Sequence, residues 1–224
     1  MLAPAASLSP VRNECTVRYV HYWMATVAVR SSDRILKKAL ELFSSKGFDA
    51  TSVREICEAA EITKPTLYHF YGSKEGVYQA LVQGSLDEFR QAMLRELERP
   101  GTPLERLKGV ARTYFAISCE NRELMRFFFA LVHNPPSSAP PIDFTQHYES
   151  VVAAVAGVVE EGVRAGAFAP GDAEVRMLVF MGALGEALCG WLITGKPEPT
   201  SGLADRLVDT VISGWRSNTA PETR

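Results

Sequence analysis

Several features of other protein classes are absent from this chain of 224 residues. Its four cysteines are scattered and include no Cys-x-x-Cys pair, so neither a zinc site nor a disulfide framework is indicated. The sequence has no His-Glu-x-x-His pair, no nucleophile elbow and no glycine-rich phosphate loop. We therefore predict no catalytic residue, no metal and no cofactor, and we expect reduced thiols in the cytoplasm.

Long apolar runs and targeting signals are also missing. The longest uninterrupted candidate, Val151–Val159, is shorter than a membrane span and is interpreted as a buried helix, so no membrane partner is expected. Residues 1–23 show neither a helical period nor an Arg-rich targeting pattern. We expect Met24 to be the true start, although a real arm that adds contacts through Arg12 and Arg18 is the alternative.

The chain carries little net charge. The formal value is −2 at pH 7, and the stretch from residue 24 to 84 has eight Lys and Arg residues against seven Asp and Glu residues. A nucleic-acid function therefore cannot be argued from a basic patch. If the chain binds DNA, few phosphate contacts and a modest salt dependence are expected.

Apolar residues recur at spacings of three and four along most of the chain, which predicts an all-α fold. The predicted helices cover about residues 32–46, 52–60, 64–71, 104–119, 122–133, 143–165, 172–194 and 203–216, and a further helix runs from residue 74 through the nineties and ends before Pro100. Residues 134–141, with the sequence NPPSSAPP, are a loop by composition. No alternating strand pattern and no internal repeat is present.

The stretch from residue 51 to 75 has the pattern of two short helices joined by a tight turn. Ser52 and Glu55 match a capping box, and Pro65 lies in the first turn after a second N-cap at Thr63. Leu67 and two aromatic residues of the second helix are expected to face inward, at spacings of three and four (Leu67, Phe70, Tyr71). This pattern is typical of a helix-turn-helix, whose second helix enters the major groove of DNA.

On these residues, the segment strongly resembles the N-terminal DNA-binding domain of the TetR family of bacterial transcriptional regulators. The positions that fit the family pattern are Thr51, Ser52, Val53, Arg54, Glu55, Ile56, Ala60, Ile62, Thr63, Thr66, Leu67, Tyr68, Ser73, Lys74 and Glu75. Two positions depart from the pattern, because Glu61 replaces the usual Gly of the turn and Cys57 replaces an Ala. If residue 61 needs a positive φ, the Glu costs on the order of 1 kcal/mol.

The resemblance implies three regions and a set of DNA contacts. The regions are an irregular extension over 1–28, a DNA-binding domain over 29–89 with its motif at about 52–71, and a ligand-binding and dimerisation domain over 90–224. Hydroxyl groups at the start of the first motif helix, polar side chains on the second and the first Lys of the next are expected to contact bases or phosphates. These residues are Thr51, Ser52, Lys64, Pro65, Thr66, Tyr68, His69 and Lys74.

The last two helices have features that favour a homodimer. One is rich in small residues around Gly182 and Gly185, and the other carries an apolar stripe formed by Leu203, Leu207, Val211 and Trp215. The resemblance implies that these helices pair across a two-fold axis. The alternative is that both stripes close the core of one monomer.

Aromatic and histidine side chains of the C-terminal region are candidates for an effector pocket, although ordinary packing is the alternative for each. The candidates are Phe115, Phe128, His133, Phe144, His147, Tyr148, Phe180 and Trp191. They would suit a largely apolar ligand with one polar group. His147 and Glu149 lie two positions apart on a helix and do not share a face, which argues against an acid–base pair.

We therefore expect a cytoplasmic, ligand-responsive repressor that binds an inverted-repeat DNA operator as a homodimer and is released by a small apolar effector. An activator is one alternative. A DNA-binding interaction or nucleoid-associated protein without an effector is another, and a small-molecule enzyme or carrier is a third.

Overall fold

A computed structural model describes residues 31–133 and 135–215, and these residues form helices without any strand. The helices are α1 (Ser31–Lys46), α2 (Val53–Ala59), α3 (Lys64–Tyr71), α4 (Lys74–Leu97), α5 (Pro103–Glu120), α6 (Arg122–His133), α7 (Thr145–Arg164), α8 (Ala173–Thr194) and α9 (Ser201–Ser213). The all-α prediction is confirmed. The expectations for residues 1–28, Met24 and the arm concern residues outside this described part.

Helices α1 to α3 and the first half of α4 form a small unit, which we call the head. Ile35 and Ala39 of α1 and Leu67 of α3 are completely buried in its core. The Tyr78 ring of α4 lies 5.0 Å from the Phe48 ring and 5.9 Å from the Phe43 ring, both in edge-on geometry. This aromatic cluster fixes α4 to the end of α1 and so sets the position of the helices that follow.

The second half of α4 and helices α5, α7, α8 and α9 enclose a separate core, which we call the body. Phe115 of α5 and Phe180 of α8 are at most 1% exposed there, packed among aliphatic residues of α7 and α9. Ion pairs connect α5 to α9, with the Arg112 guanidinium bound by both oxygens of Asp205 at 2.7 and 2.8 Å. The centre of the body is therefore filled with side chains.

Helix α6 contacts both units. Phe127 and Leu131 on one side are buried in the core of the head. Met125 and Phe129 on another side pack against a small cluster on α8 that includes Leu188. Because side chains three and four apart share a helix face, these two sets lie on different faces of one short helix. Any displacement of α6 is therefore transmitted to the head and to α8.

Local capping signals locate most helix ends correctly. The Ser52–Glu55 capping box is present, and the Asp172 carboxylate accepts bonds from the first amides of α8 at 2.9 and 3.1 Å. Helices α7 and α9 differ from the prediction. The N-cap of α7 is Phe144, one residue after the predicted cap Asp143, whose carboxylate accepts from the Thr145 amide at 2.8 Å. Helix α9 covers Ser201–Ser213, whereas about 203–216 was predicted.

Helix α8 corrects the expectation about apolar segments. It has 22 residues and a mean hydropathy of 1.7 over its most apolar stretch, so by length and composition alone it could cross a membrane. Counting uninterrupted runs missed it, because Arg176 and Glu186 divide the helix. Phe180 and Leu184 on one side are buried in the body, whereas Val175 and Leu178 on the other are about half exposed. Helix α8 is therefore apolar on its buried side and on its half-exposed side.

Glu61, in the turn between α2 and α3, has a φ of +53°, as the family pattern of Gly at this position suggests. Glu61→Gly is expected to raise the free energy of unfolding by about 0.5–1 kcal/mol, because glycine adopts this conformation without a clash at Cβ. Urea denaturation followed by circular dichroism measures the change. Glu61→Ala is the matched control, since it removes the charge but keeps the Cβ. An equal gain in both variants would show that the charge, and not the backbone, is responsible.

Candidate functional site

The second motif helix, α3, presents most of its side chains to solvent. Lys64, Pro65 and His69 are exposed, Thr66 is half-buried and Tyr68 is 50% exposed. The Thr63 hydroxyl bonds the Thr66 hydroxyl at 2.9 Å and does not cap the backbone of α3. The Thr66 and Leu67 amides donate to the Thr63 carbonyl oxygen at 3.1 and 3.2 Å, and Pro65 has no amide hydrogen. An anion at this end of α3 would therefore be attracted mainly by the helix dipole and by the Lys64 side chain.

Two contacts fix this helix to the head. Leu67 is completely buried in the head core, and the Tyr71 hydroxyl donates to the Ser32 carbonyl oxygen of α1 at 3.0 Å. Burial raises the pKa of Tyr71, so the hydroxyl keeps its proton and remains a donor. The outward face of α3 is therefore held in a defined orientation by its inward face.

Phe70 was expected to face inward, and that expectation is wrong. Its side chain is 46% exposed and its ring lies 5.4 Å from the His69 ring in edge-on geometry. The spacing to Leu67 allowed burial, but α3 has only eight residues and Leu67 alone is buried. An exposed phenyl ring beside His69 suits contact with a thymine methyl group, so Phe70 joins the candidate DNA contacts.

Thr51 and Ser52 were expected to offer free hydroxyls to phosphate. Thr51 is 2% exposed and its hydroxyl donates to the Gly47 carbonyl oxygen at 2.8 Å, which corrects the expectation for its side chain. The Ser52 hydroxyl donates to the Glu55 carboxylate at 2.7 Å and accepts from the Glu55 amide at 3.3 Å. Both hydroxyls are thus occupied in starting α2, although Ser52 remains exposed.

The charges around α2 are arranged unevenly. Hydrogen bonds from the Lys46 ammonium and from Ser52 lower the pKa of the Glu55 carboxyl to about 2, so it stays ionised and paired. The Arg54 side chain is 74% exposed and lies 3.4 Å from Glu58 in a surface pair. Exposed pairs of this kind contribute little. Arg54 is therefore available to a phosphate, and it was part of the motif without being nominated as a contact.

Lys74 was also expected to contact phosphate, and its surroundings argue for another role. Its ammonium group donates to the Phe48 carbonyl oxygen at 2.9 Å and lies 4.1 Å from the centre of the Phe48 ring. The charge is used inside the head, where it joins the start of α4 to the turn before α2. We therefore propose a structural role for Lys74, and its assignment to the DNA-contacting set stays a prediction that the next variant tests.

Lys74→Met is expected to lower the free energy of unfolding by about 1–2 kcal/mol, because it removes a charge-assisted hydrogen bond and a cation–π contact. It should leave the salt dependence of DNA binding unchanged. Lys64→Met is the matched control, because Lys64 is exposed at the start of α3. That variant should keep its stability and reduce the slope of log K against log salt by about one. Fluorescence anisotropy across a salt series separates the two.

The candidate effector residues are not brought together. Phe115, Phe180 and Trp191 are at least nine-tenths buried in close-packed clusters, while Tyr148 is 52% exposed. The remaining four lie apart from one another. Phe128 and Phe144 pack on the core cluster of the head. The His133 ring is stacked on the Phe129 ring at 4.2 Å, and the His147 imidazole lies 3.7 Å from the Asp87 carboxylate of α4. These aromatic residues mainly pack against neighbouring side chains, which agrees with the alternative of ordinary packing.

Two open clefts lie on different sides of α6. One has a volume of about 510 Å³ and lies between α4, the end of α6 and the loop that precedes α7. The other has about 280 Å³ and lies between α6 and the end of α8, lined by Arg126, Phe129, Leu192 and Ile193. Of the candidate effector residues, Phe144 lines the larger cleft.

The candidate dimer residues are mostly exposed or partly exposed, on two helices that are in contact with each other. Leu203, Leu207 and Val211 of α9 are partly exposed, and Gly182 of α8 is exposed with nothing near the position of a Cβ. Three residues not nominated from the sequence extend this surface along α8, each about half exposed (Val175, Leu178, Val179). Their spacing of three and four was the signal that could have found them.

Trp215 is the exception in that set. Its side chain is 6% exposed, and its ring lies 5.7 Å from the Phe168 ring and 5.3 Å from the Arg176 guanidinium. The residue follows the end of α9, and its carbonyl oxygen accepts from the Ala169 amide at 2.6 Å. Trp215 therefore belongs to the core of the body and adds almost no area to the exposed surface.

Comparison with known proteins matches both units of the chain. A family model described as "Bacterial regulatory proteins, tetR family" matches residues 35–81. A second model, described as "Tetracyclin repressor-like, C-terminal domain", matches residues 100–215. The two matches correspond to the head and to the body, and the second alone covers more than half of the chain.

Individual relatives agree with the family models. The HTH-type transcriptional repressor KstR2 of Mycolicibacterium smegmatis is 30% identical over 140 residues, which are 62% of this chain and 67% of that protein. The fatty acid metabolism regulator protein of Bacillus subtilis is 19% identical over 186 residues, 81% of this chain and 93% of that protein. The structure of the transcriptional regulator FadR from Bacillus subtilis in complex with stearoyl-CoA has a TM-score of 0.64 at 19% identity, and the match covers 81% of this chain and 97% of that one.

Proposed function

The chain belongs to the tetR family of bacterial regulatory proteins, and from that premise we propose that it represses transcription as a homodimer until an apolar effector releases it from its operator. DNA binding and transcriptional regulation follow from the family. The observation that carries the mode of binding is the outward face of α3, where Lys64, Tyr68, His69 and Phe70 are exposed while Leu67 is buried. A bacterial operator places the protein in the cytoplasm.

The proposed dimer is supported by the exposed apolar surface that α8 and α9 share. Val175, Leu178 and Val179 leave about half of their side-chain surface exposed, next to small residues that allow a second helix to approach closely. An exposed continuous apolar surface of this kind marks an interaction site. Packing α8 and α9 against their copies buries it and accounts for the apolar composition of α8.

A two-fold dimer fixes the form of the operator. The interface uses the same surface of both subunits, so the DNA site has the same symmetry and is an inverted repeat. The two α3 helices enter successive major grooves, which requires a separation of about 34–36 Å. An effector that stabilises another separation releases the DNA, because only a difference in affinity between the two states shifts their populations.

The effector we propose is a molecule with a long apolar chain, and acyl-CoA thioesters are the first class to test. The similarity to a fatty acid metabolism regulator and to a regulator crystallised with stearoyl-CoA motivates this choice. The described residues that line the larger cleft include no charged side chain, which supports it. An activator with the same architecture is the second candidate. It is distinguished by whether transcription from the target promoter rises or falls when the protein binds its operator.

Selection of bound sequences from random DNA, followed by a ligand screen for release, tests this function. The expected result is an enriched inverted repeat whose complex dissociates when acyl-CoA thioesters are added. Enrichment of a single half-site would contradict the dimer. Binding without any sequence preference would favour the nucleoid-associated alternative, and tighter binding in the presence of the thioester would contradict release.

A further inference from the structure

The larger cleft lies beside the head, where the end of α6 and the loop that leads to α7 meet α4. Tyr78 of α4 and Leu131 of α6, both buried core residues of the head, form part of its lining beside the exposed Val132. The other lining residues come from the loop between α6 and α7 and the residue that precedes α7: Pro135, Pro136, Ala139, Pro140, Pro141, Ile142 and Phe144. A volume of about 510 Å³ lies within the range of small-molecule sites. We call this cleft the junction groove, and residues 135–142 the proline segment.

The proline segment is attached to the head by side-chain contacts. The Ser138 hydroxyl donates to the Asp49 carboxylate, which lies in the turn between α1 and α2. Ala139 and Ile142 pack against the core cluster of the head. Because proline fixes φ, the segment has few alternative backbone conformations. One wall of the junction groove is therefore formed by a segment that follows α6 in the sequence and packs against the head.

The lining selects the chemistry of an occupant. Among the described residues that line the groove, none is charged, and Tyr78 is the one whose side chain carries a polar group. A charged group inside would lose its hydration without a partner, so it must remain at the open side. Most of the lining comes from the chain between Pro135 and Phe144, which supplies apolar side chains and proline rings. An unbranched aliphatic chain with a polar group at one end satisfies both conditions.

The other candidate positions for such a chain are less suitable. The centre of the body is occupied by Phe115 and Phe180, which are at most 1% exposed, so a chain there would have to displace core side chains. The cleft between α6 and α8 has about 280 Å³, just below the range of small-molecule sites, and is lined partly by Arg126. The junction groove is the site that accepts an apolar chain without rearranging the core.

We propose that the junction groove binds the unbranched acyl chain of an amphiphilic effector and that the chain acts on the DNA-reading helices through Tyr78. The effector class rests on the proposed function, whereas the site rests on the groove itself. Tyr78 joins the Phe43 and Phe48 rings of the head to the Phe127 ring of α6, which lies 6.2 Å away. A chain beside Tyr78 and Leu131 therefore touches the contact by which α6 holds the head. Occupation of the groove moves the head relative to α6, and through α6 relative to α8.

A pair of variants on α6 tests the site. Val132 lines the groove and is 62% exposed, so Val132→Trp fills the groove without disturbing the core. Ala130 is exposed on the same helix and does not line the groove, so Ala130→Trp is the matched control. Binding is measured with parinaric acid, a fluorescent unbranched fatty acid, and by its displacement with hexadecanoic acid, hexadecanoyl-CoA or free CoA. Circular dichroism and operator binding without ligand check that both variants fold.

The expected result is that the unaltered protein and Ala130→Trp bind parinaric acid alike, whereas Val132→Trp binds at least about tenfold more weakly. Hexadecanoic acid and hexadecanoyl-CoA should both displace the probe if the chain is the recognised part, and the stronger of the two identifies the natural form. Equal binding by Val132→Trp, or no binding by the unaltered protein, would overturn the site. Displacement by free CoA would overturn the recognition of the chain.

Operator release separates this inference from the proposed function. If parinaric acid binds the groove but hexadecanoyl-CoA leaves the operator complex intact, the proposed effector function fails and the site remains. If hexadecanoyl-CoA releases the operator equally well from Val132→Trp, the effector function stands and the junction groove is not its site.

Discussion

The Val211→Asp variant is expected to be a monomer in solution, whereas the unaltered chain is expected to be a dimer. Val211 lies on the partly exposed apolar side of α9, next to Leu207. In the proposed dimer an Asp at this position is buried without a partner, and such a charge costs several kcal/mol. In the monomer the same carboxylate reaches water, so the helical content should not change. Size-exclusion chromatography with light scattering measures the mass.

The loss of the dimer should reduce operator affinity more than about 100-fold, because two linked half-sites gain from their effective concentration and a single one does not. Ser213→Asp is the matched control. Ser213 is exposed and lies two positions further along α9, on a different face, so the same charge should leave the dimer intact. A Val211→Asp protein that remains dimeric with unaltered affinity would show that α9 is not the interface.

The elements that the sequence predicted correctly are those with local causes. The capping box at Ser52 and Glu55, the Asp172 cap and the proline-rich loop after α6 each depend on residues within three or four positions. Each of these motifs supplies its own hydrogen-bond partners or backbone restraint. The positive φ of Glu61 was also accessible, because the family pattern has Gly there.

The side-chain surroundings that the local sequence does not determine depend on partners far along the chain. Lys74 at the start of a helix has the same local sequence whether its ammonium meets phosphate or the Phe48 carbonyl oxygen, which lies 26 positions earlier. Phe70 has a spacing that fits the inward face, but the head provides room for Leu67 alone on α3. In both cases the tertiary partner decides, and periodicity contains no information about it.

In the body, too, periodicity did not reveal the tertiary partners of Trp215 and of the predicted effector residues. The stripe on α9 placed Trp215 in phase with Val211, but the helix ends at Ser213 and the ring turns towards Phe168 and Arg176. Aromatic residues were the natural candidates for a pocket, yet Phe115 and Phe180 fill the core. The junction groove is lined mostly by prolines and aliphatic residues of a loop, which a search for aromatic side chains does not select.

Helix α6 connects the three functions proposed for this chain. Its Phe127 and Leu131 belong to the core that orients α3, its Val132 lines the junction groove, and its Phe129 packs on the end of α8. The proposed dimer surface lies on α8. The 12 residues of α6 therefore contact the parts of the chain proposed for DNA reading, for ligand binding and for subunit pairing. A short helix with two apolar faces is suited to coupling these sites, because it cannot move against one neighbour without moving against the other.

The Tyr68→Ala variant is expected to weaken operator binding by about 1–3 kcal/mol at each half-site, and a dimer carries the change twice. Tyr68 is 50% exposed at the centre of α3, so its ring and hydroxyl are free to contact a base edge or a phosphate. Leu67→Ala, one position earlier, removes a completely buried side chain and should instead lower the free energy of unfolding by about 2–5 kcal/mol. Thermal unfolding distinguishes a lost DNA contact from a damaged head.

Tyr68→Phe separates the two parts of the side chain, because it keeps the ring and removes the hydroxyl. Fluorescence anisotropy with the selected operator and with a scrambled duplex measures both variants. Reading of a base predicts that Tyr68→Ala weakens the operator complex and leaves the scrambled complex almost unchanged. A phosphate contact through the hydroxyl predicts equal losses on both duplexes, and Tyr68→Phe should then match Tyr68→Ala. If Tyr68→Ala binds the operator as tightly as the unaltered protein, the outward face of α3 is not the surface that reads DNA.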